Sequence, residues 1–386
     1  MKYPSPCYIL EEKKLRGNLS TISQIAKDAD VEVILALKSY NLWKTFPIFR
    51  EYIKHTTASS VNEARVSSEE FGGRCHTYSP CYTKNNFKQF LKYSERITFN
   101  SLTQFDSFRQ TLNSWNNTQP QKVSAGLRIN PEYSEIKTNL YNPCAPGSRL
   151  GIVHSQLPDE LPAEIEGFHF HCLCENDSTT LVEVLKNVEE KFGSWLPKLK
   201  WLNMGGGHLM TRKGYHVDLL IETLRKFHRQ YPDLKLILEP GSAFLWQTGF
   251  LTANVVDIVS NNGIQTAMLD VSFACHMPDC LEMPYRPEVR GAKSLPDKTA
   301  KVKTLSNVYR LGGNSCLSGD FVGSWQFKEP LHIGSQIIFE DMLHYTTVKT
   351  NMFNGLSHPS LALLQSNGTL KILKRFSYRE YKSRMD

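Results

Sequence analysis

VEVILALKSY, residues 31–40, is an apolar run that ends on a lysine. In a strand alternate residues share a face, so Val31, Val33, Leu35 and Leu37 form one apolar side, and Glu32, Ile34, Ala36 and Lys38 form the other. If helices cover the first side, the second becomes the interior of a barrel and Lys38 sits at its C-terminal rim, where such barrels keep their chemistry. A lysine there can be a desolvated amine that attacks a carbonyl; one that simply emerges into solvent is the plainer alternative.

The surrounding chain favours the barrel. VEVILAL is the first of eight apolar runs; the others are HTTAS (55–59), CHTYS (75–79), RITFN (96–100), VSAGLRIN (123–130), IEGFHFH (165–171), LKWLNMGG (199–206) and LKLILEP (234–240). Helix-length charged segments separate them, which is the pattern of a (β/α)8 barrel. After Glu239 the text changes to strand-like runs such as TANVVDIVS and SQIIFEDM, punctuated by Gly, Pro and Asn. We therefore expect an α/β barrel over residues 14–248 and a mostly β domain over 249–386, with residues 1–13 contributing a strand to the latter.

Composition narrows the class. A chain of 386 residues exceeds what one hydrophobic core usually serves. No apolar stretch approaches the roughly 20 residues of a membrane span, and MKYPSPCYIL lacks the long apolar core of a leader. The nine cysteines are scattered rather than framed as in small secreted domains. These features predict a cytoplasmic protein with reduced thiols and no membrane association. The net charge of +7 is spread among acidic residues, which argues against nucleic-acid binding.

Two further strand ends carry chemistry. Gly205, Gly206 and Gly207 in LNMGGGH leave backbone N–H groups able to approach an anion closely. Gly241 and Ser242 in LEPGSA form a second such turn after the next strand, and adjacent barrel loops of this kind make a phosphate site. Glu239, buried at a strand end, needs a cation, either a protonated ring nitrogen of a cofactor or a barrel arginine such as Arg128. GFHFHCLCE (167–175) raises zinc as a rival. Alternation puts His169 and His171 on one face and Cys172 and Cys174 on the other, so we expect no metal site but an inward imidazole stacked on a flat ring.

The ordered set ALKSY, TASSVNEA, GFHFHCLCE, NMGGGH, EPGSA, GNSCLSGD and DMLHYTTVKTNMFNG resembles the fold-type III pyridoxal phosphate decarboxylases, and among them the carboxynorspermidine/carboxyspermidine decarboxylases of polyamine synthesis. The resemblance spans residues 36–355. It implies a (β/α)8 barrel with a β domain, pyridoxal 5'-phosphate as cofactor, a carboxylated polyamine as substrate, and a homodimer with active sites at the interface. Carried over by position, Lys38 would hold the cofactor, His171 would stack on its ring, Glu239 would pair with the ring nitrogen, and Gly205, Gly206, Gly207, Gly241, Ser242 and Tyr345 would bind its phosphate. Cys316 of the neighbouring subunit would supply a proton, and Asp320, with Asp270 as a second candidate, would meet a distal ammonium of the substrate. Ser242 stands where ornithine- and arginine-specific relatives commonly carry arginine, and Thr57 where they carry an acid. Diaminopimelate decarboxylation, racemisation and a non-catalytic cofactor-holding role are the alternatives.

Overall fold

A computed structural model describes residues 2–283, 285–296 and 305–386. The chain divides into two compact units, residues 18–244 and residues 1–17 with 245–386.

The first unit is a parallel barrel. The run quoted above forms two short strand pieces, Glu32–Val33 and Leu35–Ala36, which together act as one barrel strand. Around them follow Thr56–Ala58, Cys75–Tyr78, Ser94–Phe99, Ser124–Arg128, Ile165–His169, Trp201–Asn203 and Lys235–Leu238, each paired in parallel with its neighbour. The first strand closes the ring: Ile34 N–H donates to the Leu238 carbonyl at 2.9 Å and Leu35 N–H to the His55 carbonyl at 3.2 Å. Ile34, Trp201 and Ile237 fill the interior as one cluster. Trp201 fits because the neighbouring strand carries Gly167, where a Cβ would lie 2.0 Å from the indole.

The outer helices read as sequence physics predicts. Ser178–Phe192 begins where the Asp177 carboxylate accepts the Ser178 N–H, and it buries Leu181, Val184, Leu185, Val188 and Phe192. That is the three-and-four spacing of a face packed on a sheet. Leu102–Thr118 starts at Ser101, whose hydroxyl accepts the Gln104 N–H at 3.1 Å.

The second unit is built on one sheet. Its strands run in the order Ala292–Leu295, Phe321–Phe327, Val308–Gly312, Ile264–Leu269, Gly249–Asn261, Cys7–Glu11, Ser360–Leu364 and Leu370–Lys374, with Gln336–Glu340 also paired to Gly249–Asn261. The opening strand is central: Ile9 faces Phe250 on one side, antiparallel, and Ala362 on the other, parallel. Trp325, Phe339, Leu269 and Leu311 lie in its buried core. Among the described residues no helix is long and apolar enough to cross a membrane.

Candidate active site

The C-terminal ends of the barrel strands surround a cavity of about 760 Å³ whose lining includes Lys38, Thr57, Tyr78, Arg128, His169, His171 and Glu239. Lys38 follows its strand in a tight turn in which Ser39 N–H donates to the Ala36 carbonyl at 3.0 Å. Its side chain is accessible from the cavity, yet the surrounding protein strips water from the ammonium and lowers its pKa; Glu239 opposes that shift and Arg128 adds to it. The result is a lysine closer to the neutral, nucleophilic form than a surface lysine is.

Glu239 is 7% exposed. Burial raises its pKa despite Lys38, hydrogen bonds from Asn203 and Thr57, and Arg128. Asn203 Nδ2 donates to Glu239 Oε1 at 2.6 Å, while Asn203 Oδ1 accepts the Gly205 N–H at 2.9 Å. One amide thereby fixes both the carboxylate and the glycine turn. Arg128 does not serve Glu239 as an ion-pair partner. Its guanidinium lies 4.7 Å over the Tyr78 ring and donates to the His171 carbonyl at 3.4 Å.

His171 Nδ1 accepts the Gly206 N–H at 2.8 Å. A nitrogen that accepts from a peptide carries no proton, so the ring is neutral with its hydrogen on Nε2. Its pKa is pushed well below the ordinary value by burial and then by Lys38 and Arg128, which agrees. His169 is 2% exposed, and neither ring nitrogen has a hydrogen-bond partner among the described residues. Its Nε2 stands 3.7 Å from Glu239 Oε2.

The glycine turn serves a purpose beyond the expected anion cradle. Gly205 and Gly206 spend their N–H groups on Asn203 and His171, which leaves Gly207 as the donor of that turn without a partner among the described residues. A Cβ at Gly206 would meet the Glu239 carbonyl oxygen at 2.4 Å, so that glycine lets His171 and Glu239 approach one another. Gly241 is equally constrained, since a Cβ would meet Ser39 Oγ at 2.5 Å beside the lysine turn. Ser242 is buried, its hydroxyl 3.5 Å from Glu175 Oε1.

The remaining expected residues lie in the β unit. Cys316 is exposed in a loop whose backbone is held by Asn354, the Cys316 N–H donating to its Oδ1 at 2.7 Å. Tyr345 is half-buried at the start of a short helix and has positive φ. Two acids are engaged by donors of the same unit. Asp320 is 4% exposed, and its oxygens accept the Ala274 N–H, the Ser315 N–H and the Ser315 hydroxyl at 3.0, 3.1 and 2.6 Å. Asp270 accepts the Ser5 hydroxyl at 2.8 Å and the Asn254 N–H at 2.7 Å. Both carboxylates brace their own unit. Among the described residues no group of three or more His, Cys, Asp or Glu is placed to hold a metal ion.

Sequence reasoning missed Asn203 and the long cavity wall at 139–150. Asn203 had a signal, a polar residue ending an apolar strand two positions before a glycine turn. The wall had none, because it is irregular.

Every feature of this cavity fits pyridoxal phosphate. The amine of Lys38 suits an aldehyde, buried Glu239 a ring nitrogen, neutral His171 a flat face, and the glycine turns a phosphate. A family model described as the C-terminal sheet domain of pyridoxal-dependent decarboxylases matches residues 52–342. A carboxyaminopropylagmatine decarboxylase from Synechocystis is 48% identical over 382 residues, covering 99% of this chain and 95% of that protein. A carboxynorspermidine/carboxyspermidine decarboxylase from Campylobacter jejuni is 41% identical, covering 99% of both. The crystal structure of carboxynorspermidine decarboxylase from Campylobacter jejuni, complexed with norspermidine, superposes with a TM-score of 0.89 at 40% identity, covering 99% of this chain and 100% of that one.

Proposed function

The chain belongs to the pyridoxal-dependent decarboxylases, and from that premise we propose that it decarboxylates carboxynorspermidine and carboxyspermidine to norspermidine and spermidine in polyamine biosynthesis. The observation that carries this reading is the convergence of Lys38, His171 and Glu239 on one cavity at the C-terminal rim of the barrel, in a chain similar end to end to enzymes of that name.

Pyridoxal phosphate, when bound, supplies the sink for the electron pair left behind as carbon dioxide departs. The protein does the rest. Lys38, with its lowered pKa, would offer the amine that holds the cofactor. Glu239, braced by Asn203 and Thr57, keeps a proton on the ring nitrogen. His171 is locked by the Gly206 N–H with its hydrogen on Nε2, so it presents a neutral face rather than a second positive charge. Gly207, Gly241 and Ser242 would hold the phosphate, with Ser242 in place of the arginine of other branches.

The cavity is completed by a second copy of the chain, in a cytoplasmic homodimer. Cys316 from one subunit serves the cavity of the other and delivers the proton to the substrate carbon. Support for this comes from the exposure of Cys316 beside Leu317 and Phe353, which are 45% and 50% exposed. Mixing inactive Lys38→Ala with inactive Cys316→Ala protein should restore part of the activity through hybrid dimers. No recovery after proven subunit exchange would refute the shared site.

The 48% identical relative favours a second reading, decarboxylation of carboxyaminopropylagmatine. The two substrate types share a carboxylated aminopropyl head and differ in the far cation, ammonium in one and guanidinium in the other. Carbon dioxide release by the cofactor-loaded protein, measured in parallel on carboxynorspermidine, carboxyspermidine, carboxyaminopropylagmatine and diaminopimelate, separates them. Preference for the first two supports the primary reading, and preference for the third replaces it.

A further inference from the structure

Between the strand Ser124–Arg128 and the next barrel element the chain makes an irregular excursion whose neck is closed by Asn130 N–H to the Ile152 carbonyl at 2.8 Å and Ile152 N–H to the Arg128 carbonyl at 2.9 Å. Both flanks are tied to the barrel. Ser134 Oγ donates to the Cys172 carbonyl at 2.8 Å, Thr180 Oγ1 to Glu135 Oε2 at 2.7 Å, and Asn100 Nδ2 to the Arg149 carbonyl at 2.9 Å. Residues 139–143 and 145–149 of its middle form one wall of the cavity, which Cys144 does not line. Several bonds of this middle part stay within the excursion: Asn142 Nδ2 to the Ile136 carbonyl, Cys144 N–H to Asn142 Oδ1, and Ser148 N–H to the Ala145 carbonyl. Here the Cys144 sulfur lies 3.5 Å from that of Cys172, the residue directly after His171.

We propose that Cys144 and Cys172 form a reversible disulfide that straps the cavity wall to the His171 segment and throttles decarboxylation under oxidising conditions. Closing the sulfurs from 3.5 Å to bonding distance requires about 1.5 Å of side-chain movement on an irregular segment. The two thiols are unequal in the way such a pair requires. Cys144 is half-buried, whereas Cys172 is 1% exposed. The contact with Cys172, with backbone N–H groups and Arg128, lowers the pKa of Cys144, and burial raises that of Cys172. Cys144 is therefore the attacking thiolate and Cys172 the resolving thiol.

The oxidant is a small peroxide, which can reach a half-buried sulfur where a bulky disulfide cannot. The Cys144 thiolate attacks one peroxide oxygen; a sulfur–oxygen bond forms, the oxygen–oxygen bond breaks, and hydroxide leaves to become water. Cys172 sulfur then attacks Cys144 sulfur; the disulfide forms, the sulfur–oxygen bond breaks, and the departing hydroxide takes the Cys172 proton as a second water. Two thiols are oxidised and one peroxide is reduced. A dithiol reductant reverses the bond by exchange.

The test treats the cofactor-loaded protein with hydrogen peroxide and reads three quantities, two of which need no turnover and so stand apart from the proposed function. Mass spectrometry should find the loss of two hydrogens per chain and a cross-linked peptide pair containing Cys144 and Cys172. Protease cleavage between residues 139 and 149 should slow at least fivefold. Decarboxylation of whichever substrate is preferred should fall at least fivefold and recover with dithiothreitol. Cys144→Ser, at a half-buried position outside the catalytic set, should leave the reduced enzyme's activity unchanged and abolish all three responses. Oxidation of Cys144 to sulfinic acid without a cross-link would overturn the proposal, as would a mass change retained in Cys144→Ser. A cross-link that alters neither cleavage nor turnover would refute the strap.

Discussion

The barrel carries a shielded carboxylate at each end, half-buried Glu32 and buried Glu239, and the two are held in opposite ways. At the N-terminal end Glu32 contacts His55, and Lys235 Nζ lies 2.7 Å from it and Arg96 3.9 Å. Burial works to raise its pKa, but the bonds to His55 and Lys235 outweigh it, and the group is held well below the usual carboxylate range. At the C-terminal end Glu239 has Asn203, Thr57, Lys38 across the cavity and a weaker pull from Arg128, and burial wins. The lesson lies in how many cations make direct contact. One end is neutralised and finished, and supports the fold. The other keeps unspent demand for a positive partner, which a cofactor ring can meet.

The comparison is broken most severely at Lys38. Lys38→Ala should lower decarboxylation by about 10³-fold or more and abolish the absorbance of lysine-bound cofactor, with little change in thermal unfolding. Next is Glu32→Gln, which leaves Arg96, His55 and Lys235 without their shared anion. Chemical denaturation should show a loss of about 3 kcal/mol at neutral pH, with kcat preserved. Because the folded pKa is depressed, that stabilisation is present above the unfolded carboxylate value of about 4.3 and is lost as pH falls through it toward the folded value. The gap between wild type and Glu32→Gln should therefore shrink on acidification.

Glu239→Gln should do the reverse. It lowers kcat by about 10²-fold, while the cofactor-free protein remains at least as stable as wild type at neutral pH. Its pKa is raised in the fold, so the ionised group opposes folding above the unfolded value and ceases to do so below it. A large stability loss in this variant would mean that the two ends are alike after all. The smallest effect is expected at Ser242→Ala, a severalfold weaker hold on the cofactor in a titration of the apo form, since one neutral hydrogen bond contributes about 1 kcal/mol.

Much of this arrangement was legible beforehand. All eight barrel runs became strands because alternation and apolar content act locally, and Lys38, His171 and Glu239 reach one cavity because the ends of parallel strands must. What stayed hidden depends on pairings across the closed barrel. Asn203 meets Glu239 only because neighbouring strands set their register, and nothing local in NMGGGH reveals that two of its N–H groups are spent internally. Asp320 and Asp270 are a related case: a carboxylate near a turn reads alike in the sequence whatever surrounds it, and only the structure shows the donors at 2.6–3.1 Å that hold these two. The excursion around Cys144 has no period to read at all.

The central position of the strand Cys7–Glu11 bears on the making of the protein. Both of its partners, Gly249–Asn261 and Ser360–Leu364, are encoded more than two hundred residues later. At roughly 5–20 residues per second, a ribosome leaves that strand with two open edges for on the order of ten seconds or more, while the whole barrel emerges between them. The barrel can close before the sheet begins. The nascent β unit waits as an exposed apolar ribbon, CYILE, of the kind that chaperones shield and crowded chains mispair.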